Sequence, residues 1–331
     1  MLNPAQVNGS RTAKLAALPA SLVAGDLREV ERIFDDALAP FRGRFAPIVN
    51  HLKHYRGKRL RPVLLLLAGH ACGTVSRVHH VLAAVVEMVH TATLVHDDVL
   101  DEADTRRHVR TVNAGWGSKT SLLLGDMLFS AAFRLCSTVD ARACEWVGDA
   151  TNRVCAGELF QVSRAGDLGI GEDEYFEIVA GKTGALIECC TRLGAHYAGA
   201  APDVVECLAE FGRELGVAFQ IADDVLDLTG NVHTTGKTLG TDVGQQKLTL
   251  PLIRTLAGLP SAEAERMRGA IRRGAVADVT DALAAAGATA SAEAEARRIA
   301  ARARRSLGVL PATRYREALE QISDWAVNRD R

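Results

Sequence analysis

The chain has 331 residues, of which 48% are hydrophobic and 24% charged, enough apolar material for a sizeable core and close to average soluble composition. A formal net charge of -1 leaves no electrostatic footprint for nucleic acid. Seven cysteines, odd in number and without a Cys-x-x-Cys pair, exclude a simple secreted disulfide framework and point to a reducing cytoplasm.

Residues 1–25 read as a flexible N-terminal segment and 26–331 as one helical domain, because no Pro/Gly/Ser-rich linker divides the remainder. The apolar stretch 15–25 follows Arg11 and Lys14 as a short signal-peptide core would. Pro19 breaks it, and an acidic amphipathic helix over 26–38 starts at once, so export is not expected. Next comes Gly57-Lys58-Arg59-Leu60-Arg61-Pro62, three cations on a tight segment. Pro62 suits the first turn of a helix over 61–72, a place that favours anions. The longest unbroken apolar run, 62–69, is far short of the ~18 residues that span a bilayer.

From Val75, apolar residues recur at steps of three and four through Val78, Val81, Leu82, Val85, Met88, Val89 and Ala92, which predicts a long amphipathic helix. It delivers Asp97-Asp98-Val99-Leu100-Asp101 near its end. Helices are also predicted over 118–139, 141–164 and 172–197. The stretch 122–133 is apolar nearly all round, so its helix should be wholly buried in the core or against another subunit. A helix from about Pro202 ends in a second triplet, Asp223-Asp224-Val225-Leu226-Asp227, and another covers 246–256. After Pro260 the chain turns into Ala/Arg/Glu-rich pieces, expected as solvated outer helices. No stretch alternates with period two, so the fold class is all-α.

The matching triplets carry the chemistry. Residues four apart share a helix face, so Asp97 pairs with Asp101 and Asp223 with Asp227. Stacked carboxylates repel unless a cation lies between them. Mg²⁺ is the natural guest, because it binds through one or two carboxylates plus substrate phosphates and retained waters. A lone acidic run, such as Asp35-Asp36, is ordinarily a solvated face. Two identical triplets flanked by apolar residues argue against that reading. Cations stand near them in sequence: Arg106-Arg107 one turn later, Lys182 with Thr183, and Lys237 and Lys247 around the second triplet. Arginine forks and mobile lysines both suit phosphate oxygens. His90 lies two turns before Asp97 on the same stripe, whereas His96 points elsewhere and is read as structural.

On these residues the chain resembles the trans-type polyprenyl diphosphate synthases, from about Leu27 to the Arg-rich C-terminus. The likeness rests on 57–62, the run from Glu87 to Asp101, Arg106-Arg107, Gly157-Glu158 with Gln161, Lys182-Thr183, Phe219-Gln220 with the second triplet, and Gly236-Lys237 through Lys247 to Pro251. The resemblance implies an all-helical bundle around a deep central cavity, the isoprenoid synthase type. It implies three Mg²⁺ ions bound by Asp97, Asp101 and Asp223, with Asp98, Asp224 and Asp227 supporting, and an allylic diphosphate held by Arg106, Lys182 and Lys237. Lys58, Arg61, His90 and Arg107 would bind isopentenyl diphosphate. Thr183 and Gln220 would stabilise the allylic cation, and Gln161 would line the same mouth. The alkene of isopentenyl diphosphate then attacks that cation and a proton leaves to the released diphosphate, without a side-chain nucleophile.

Arg56, His108 and Arg110 depart from the family pattern, which often has glycine, glycine and proline at those places. Product length should follow the first-triplet helix, where bulk one turn deeper, ~5.4 Å, blocks about one isoprene unit. Thr93 and Ala92 are small and Val89 is modest. A product longer than geranylgeranyl, resembling that of the octaprenyl-type members, is therefore expected, with Phe129, Phe133, Phe160 or a partner-subunit residue as floor. The alternatives are a farnesyl or geranylgeranyl synthase, a terpene cyclase, and a non-catalytic regulatory subunit. The second aspartate triplet and the isopentenyl diphosphate pocket oppose the cyclase, and retention of both acidic and basic motifs opposes the regulatory subunit. The family also implies a homodimer with at most peripheral membrane contact.

Overall fold

The structure, a computed structural model, describes residues 19–229 and 240–328, and every long element in it is a helix. At its centre stands α3 (Arg77–Leu100), opened by a capping box in which Ser76 and His79 bond each other's polar groups. Every residue from Val81 to Val89 is buried, including Glu87. A helix apolar on all sides belongs inside. By length and composition alone α3 would also cross a membrane, but 72% of its most apolar window is buried within the protein. It is a core helix.

Around it pack α1 (Ala24–His51), α2 (Leu60–Cys72), α5 (Ser118–Cys136), α6 (Ala141–Ser163) and α8 (Ala185–Tyr197), with the short α4 (Val112–Trp116) before α5, and α9 (Pro202–Thr229) packs on α8. Between α6 and α8 lies α7 (Glu172–Val179), followed by a π-helical turn, Ala180–Gly184. The C-terminal third supplies α10 (Thr241–Gly244), α11 (Leu250–Gly258), α12 (Ser261–Arg272), α13 (Val276–Ala286), α14 (Ala288–Ser306) and α15 (Arg314–Val327). Buried apolar residues form two clusters, and α9 belongs to both: Leu208, Phe211 and Leu215 to the first, Ile221, Val225 and Leu228 to the second. The second aspartate triplet thus sits on a helix anchored along its whole length.

The all-α expectation holds, with local differences that have physical causes. The predicted helix 26–38 continues to His51 through Pro40 and Pro47, bending at the non-helical Phe45. The stretch 172–197 is interrupted by the π turn. The helix expected from 246 begins at Leu250, because Gln246 takes a left-handed φ of 55°. Two two-residue strands, Thr105–Arg106 and Val109–Arg110, pair antiparallel, too short to leave a period-two signal. α5 is not wholly buried: Leu124, Leu128 and Ala132 are, whereas Leu122, Leu123 and Phe133 are exposed. Nor is α14 fully solvated, since Ala288, Ala292, Ala296, Ile299 and Ala303 form a buried stripe. Of the segment 1–25, residues 1–18 lie outside the described residues.

Candidate active site

α3 and α9 bring the two triplets to one cavity of about 1210 Å³, lined by Asp97, Asp223 and Asp227. A second space of about 420 Å³ adjoins it, lined by Asp101 and Asp224 and sharing Glu158, Lys182 and Gln220 with the first. Burial lifts the Asp97 carboxyl to about 6, helped by Glu158 and Asp101 and opposed by Lys182 and Arg106. Crowded, partly desolvated carboxylates of this kind make a site that rewards a cation.

The middle aspartates behave differently from their neighbours. Asp98 is fully buried. Its Oδ2 accepts the Tyr55 hydroxyl at 2.5 Å, and its Oδ1 accepts both Nε and Nη2 of Arg106 at 2.8 Å. Arg106, expected to face a diphosphate, is therefore forked onto Asp98 here. Asp224 mirrors this arrangement: Oδ2 accepts the Tyr175 hydroxyl at 2.6 Å and Oδ1 accepts Gln220 Nε2 at 2.8 Å. Burial and the charge of Asp242 push the Asp224 carboxyl upward, against the two hydrogen bonds. Asp227 accepts from the Asp242 backbone N–H at 3.1 Å.

Lys182 and Thr183 ride on the π turn, a distortion common at functional sites. Two glycines let the turn approach its neighbours. A Cβ on Gly157 would lie 2.6 Å from the Lys182 nitrogen, and one on Gly216 would lie 2.7 Å from Gly184 Cα. Lys182 Nζ donates to Glu158 at 2.5 Å and to Gln161 at 3.2 Å. Burial alone would lower the Lys182 ammonium, but Glu158 and Asp97 outweigh it and the net shift is upward. Thr183 donates to the Gln220 carbonyl oxygen at 2.9 Å.

Lys58, Arg61, His90 and Arg107 line the same large cavity as a separate basic group. Burial, with Arg61, Arg106 and Arg107 nearby, drives the His90 imidazole well below its usual value, so it is neutral. Lys58 Nζ sits 4.9 Å from the ring centre of Trp325 on α15. Arg107 donates to the Tyr55 carbonyl at 2.7 Å. Arg107 and His108 both have positive φ, 52° and 63°, in the turn between the two short strands. That geometry is the reason glycine suits position 108. Arg59, the middle cation of its segment, pairs with Glu31 at 2.9 Å. Lys247 lines the smaller space and donates to Gln245 at 3.2 Å. Lys237 lies outside the described residues.

The same cavity is lined by the apolar Leu94, Phe129, Val154, Leu159 and Ile187, with the small Thr93 among them. Of the aromatic floor candidates, Phe129 lines it, Phe133 is exposed, and Phe160 lies under the Arg164 guanidinium at 5.7 Å. Ala92 and Val89 are fully buried. Tyr55, Tyr175, Asp242 and Trp325 escaped the sequence reading. Each meets its partner only through the fold, at separations that follow no helical period. Glu158 stood in a quoted motif without a role, and its ion pair with Lys182 gives it one.

Residues 43–286 match the family model described as polyprenyl synthetase. The chain is 36% identical over 293 residues to an octaprenyl diphosphate synthase of Escherichia coli (strain K12), covering 86% of this chain and 91% of that protein. Among solved structures it is similar to a decaprenyl diphosphate synthase from Rhodobacter capsulatus, with a TM-score of 0.90 and 34% identity over 96% of this chain and 99% of that one. It is also similar to a polyprenyl synthase from Caulobacter crescentus CB15 complexed with calcium and isoprenyl diphosphate, with a TM-score of 0.89 and 35% identity over 95% and 98% of the two chains. With three quarters of its length matched by one model and these likenesses end to end, the chain belongs to the polyprenyl synthetase family.

Proposed function

We propose that the protein is a prenyltransferase that condenses isopentenyl diphosphate with an allylic diphosphate, elongating a trans-polyprenyl diphosphate beyond geranylgeranyl. The observation that carries this reading is that one cavity is lined both by the carboxylates Asp97 and Asp223 with Lys182 and by the basic group Lys58, Arg61, His90 and Arg107.

The donor set fits Mg²⁺. Cavity-facing carboxylate oxygens are hard ligands, and among the described residues no three side chains form a preassembled cage. That suits an ion held jointly by protein carboxylates and substrate phosphates. Three Mg²⁺ ions would be held by Asp97, Asp101 and Asp223, with Asp227 supporting. When bound, they neutralise charge gathering on the departing diphosphate. A relative holding calcium and isoprenyl diphosphate together supports divalent-metal use.

In this mechanism Lys182, steered by Glu158 and Gln161, binds the allylic diphosphate, joined by Lys237 and Lys247 from the following segment. Arg106 acts first on Asp98. Thr183 and Gln220 turn oxygens toward the carbon that becomes cationic, a fixed dipole arrangement that needs no reorganisation during reaction. Lys58, Arg61 and Arg107 orient isopentenyl diphosphate for attack, with neutral His90 as a hydrogen-bond donor among guanidiniums. The apolar wall excludes water from the cation.

A long product is supported by the small Thr93 at the wall and by a cavity larger than the ~300–1,000 Å³ of ordinary ligand pockets. Names of similar proteins, octaprenyl and decaprenyl diphosphate synthases, point the same way. A cytoplasmic homodimer with peripheral membrane contact during release completes the reading. Purified protein given Mg²⁺, farnesyl diphosphate and isopentenyl diphosphate should yield dephosphorylated products longer than geranylgeraniol. Arrest at geranylgeraniol would favour the short-chain alternative, and no product would overturn the function.

A further inference from the structure

Two hydrogen-bonded rungs join the α7–π segment to α9. Tyr175 donates to Asp224 at 2.6 Å and Thr183 donates to Gln220 at 2.9 Å. A third bond, Gln220 Nε2 to Asp224 Oδ1 at 2.8 Å, links the rungs along α9. The Tyr175 and Gln220 bonds each place a donor on Asp224, so in the ionised carboxylate both oxygens act as acceptors. An acceptor at that position selects one of the two amide orientations of Gln220, the one with Nε2 turned toward Asp224 and Oε1 turned toward Thr183. Gln220 and Thr183 line the large cavity, whereas Tyr175 lines only the smaller space, beside Asp224. Held only by Gln220, the Asp224 carboxylate would be free to turn within the smaller space that it lines with Tyr175.

We propose that Tyr175 is a positioning residue of the allylic site: its hydroxyl pins Asp224 so that Gln220 presents its carbonyl oxygen, not its NH₂ group, to the reacting carbon. A carbonyl dipole stabilises a developing cation, and the reversed amide would oppose it. Tyr175 touches no substrate in this scheme, and it acts through two intermediaries. The inference rests on the prenyl-transfer reading and assigns Asp224 to orientation in place of direct metal contact.

The test uses the full chain at saturating Mg²⁺. Wild-type turnover is measured first, and its absence would remove the functional reading and this inference together. Given an active wild type, Tyr175→Phe is predicted to slow single-turnover condensation about 10- to 100-fold, the scale of a small misplacement. The KM for isopentenyl diphosphate should stay within about two-fold, since that site is untouched. Asp224→Ala should be slowed at least as much, and the Tyr175→Phe/Asp224→Ala double variant should be no slower than Asp224→Ala alone, because residues acting in series are not additive. Asp224→Asn should recover at least about ten-fold over Asp224→Ala, since its amide oxygen still accepts from Gln220. If thermal melts show that Tyr175→Phe does not fold, the asparagine rescue decides. A Tyr175→Phe rate equal to wild type, losses that multiply in the double variant, or an asparagine variant as slow as alanine would overturn the proposal while leaving the reaction class intact.

Discussion

Tyr55, on the turn before α2, donates its hydroxyl to Asp98 on α3 at 2.5 Å and itself accepts the backbone N–H of Val112 at 3.0 Å. One phenol thereby ties the end of the first-triplet helix to the segment beyond the Arg106 ribbon. Tyr55→Phe leaves one oxygen of a fully buried carboxylate without its partner and one buried amide without an acceptor. A loss of about 1–3 kcal/mol of stability is expected for each such group, partly offset by relaxation. Denaturant midpoints check it, and a midpoint equal to wild type would contradict the assigned role.

Gly216 marks the closest approach of α9 to the π turn. Alanine there would put its Cβ 2.7 Å from Gly184 Cα and 3.1 Å from the Thr183 carbonyl, both backbone atoms with little room to give. Gly216→Ala should cost about 1–3 kcal/mol, as overpacking does. It should also lower kcat, because the displaced turn carries Lys182 and Thr183. Melting curves and initial rates test both, and an unchanged kcat would show that the turn tolerates displacement.

Asp97, raised to about 6 by burial, sets a pH dependence in the metal-free protein. Between about pH 4, the unfolded carboxyl value, and about pH 6, the folded state binds a proton that the unfolded state lacks. Its contribution to stability therefore falls as pH rises through that window. Magnesium competes with the same proton, so stabilisation by added Mg²⁺ should grow as pH rises through about 6. Thermal midpoints with and without Mg²⁺, from about pH 5 to about pH 7.5, measure the difference. A pH-independent increment would remove Asp97 from the ligand set.

Leu123 is 68% exposed on α5, beside exposed Leu122. The proposed homodimer would cover this apolar face. Leu123→Asp should shift the sedimentation of the protein from dimer to monomer while leaving each chain folded. A variant that stays dimeric would move the interface elsewhere.

Much of the site was legible in the sequence because helices convert spacing into direction. Residues 97 and 101, or 223 and 227, share a face whatever the tertiary context, and the apolar stripes behind them fixed the long helices. Contacts that depend on the fold were not legible. Tyr55 lies 43 positions from Asp98 and Tyr175 lies 49 from Asp224, separations no helical period encodes. The π turn was hidden because one extra residue per turn leaves no mark in the apolar spacing on either side of it. Which part of helix 118–139 packs in the core and which is left for another chain to cover was not legible, because periodicity cannot tell the two apart. Arg106 was assigned by its position in a motif, whereas its reach to Asp98 depends on the two-residue ribbon.

The central claim is that both triplets grip one metal-bound diphosphate. Titration calorimetry with an allylic thiodiphosphate that cannot ionise readily, in the presence of Mg²⁺, tests it most directly on wild type, Asp97→Ala and Asp223→Ala. Binding by the wild type that depends on Mg²⁺, and that each single substitution weakens by at least about 100-fold, is the predicted result, equivalent to about 2.7 kcal/mol at each end of the shared site. Wild-type affinity in either variant would contradict it.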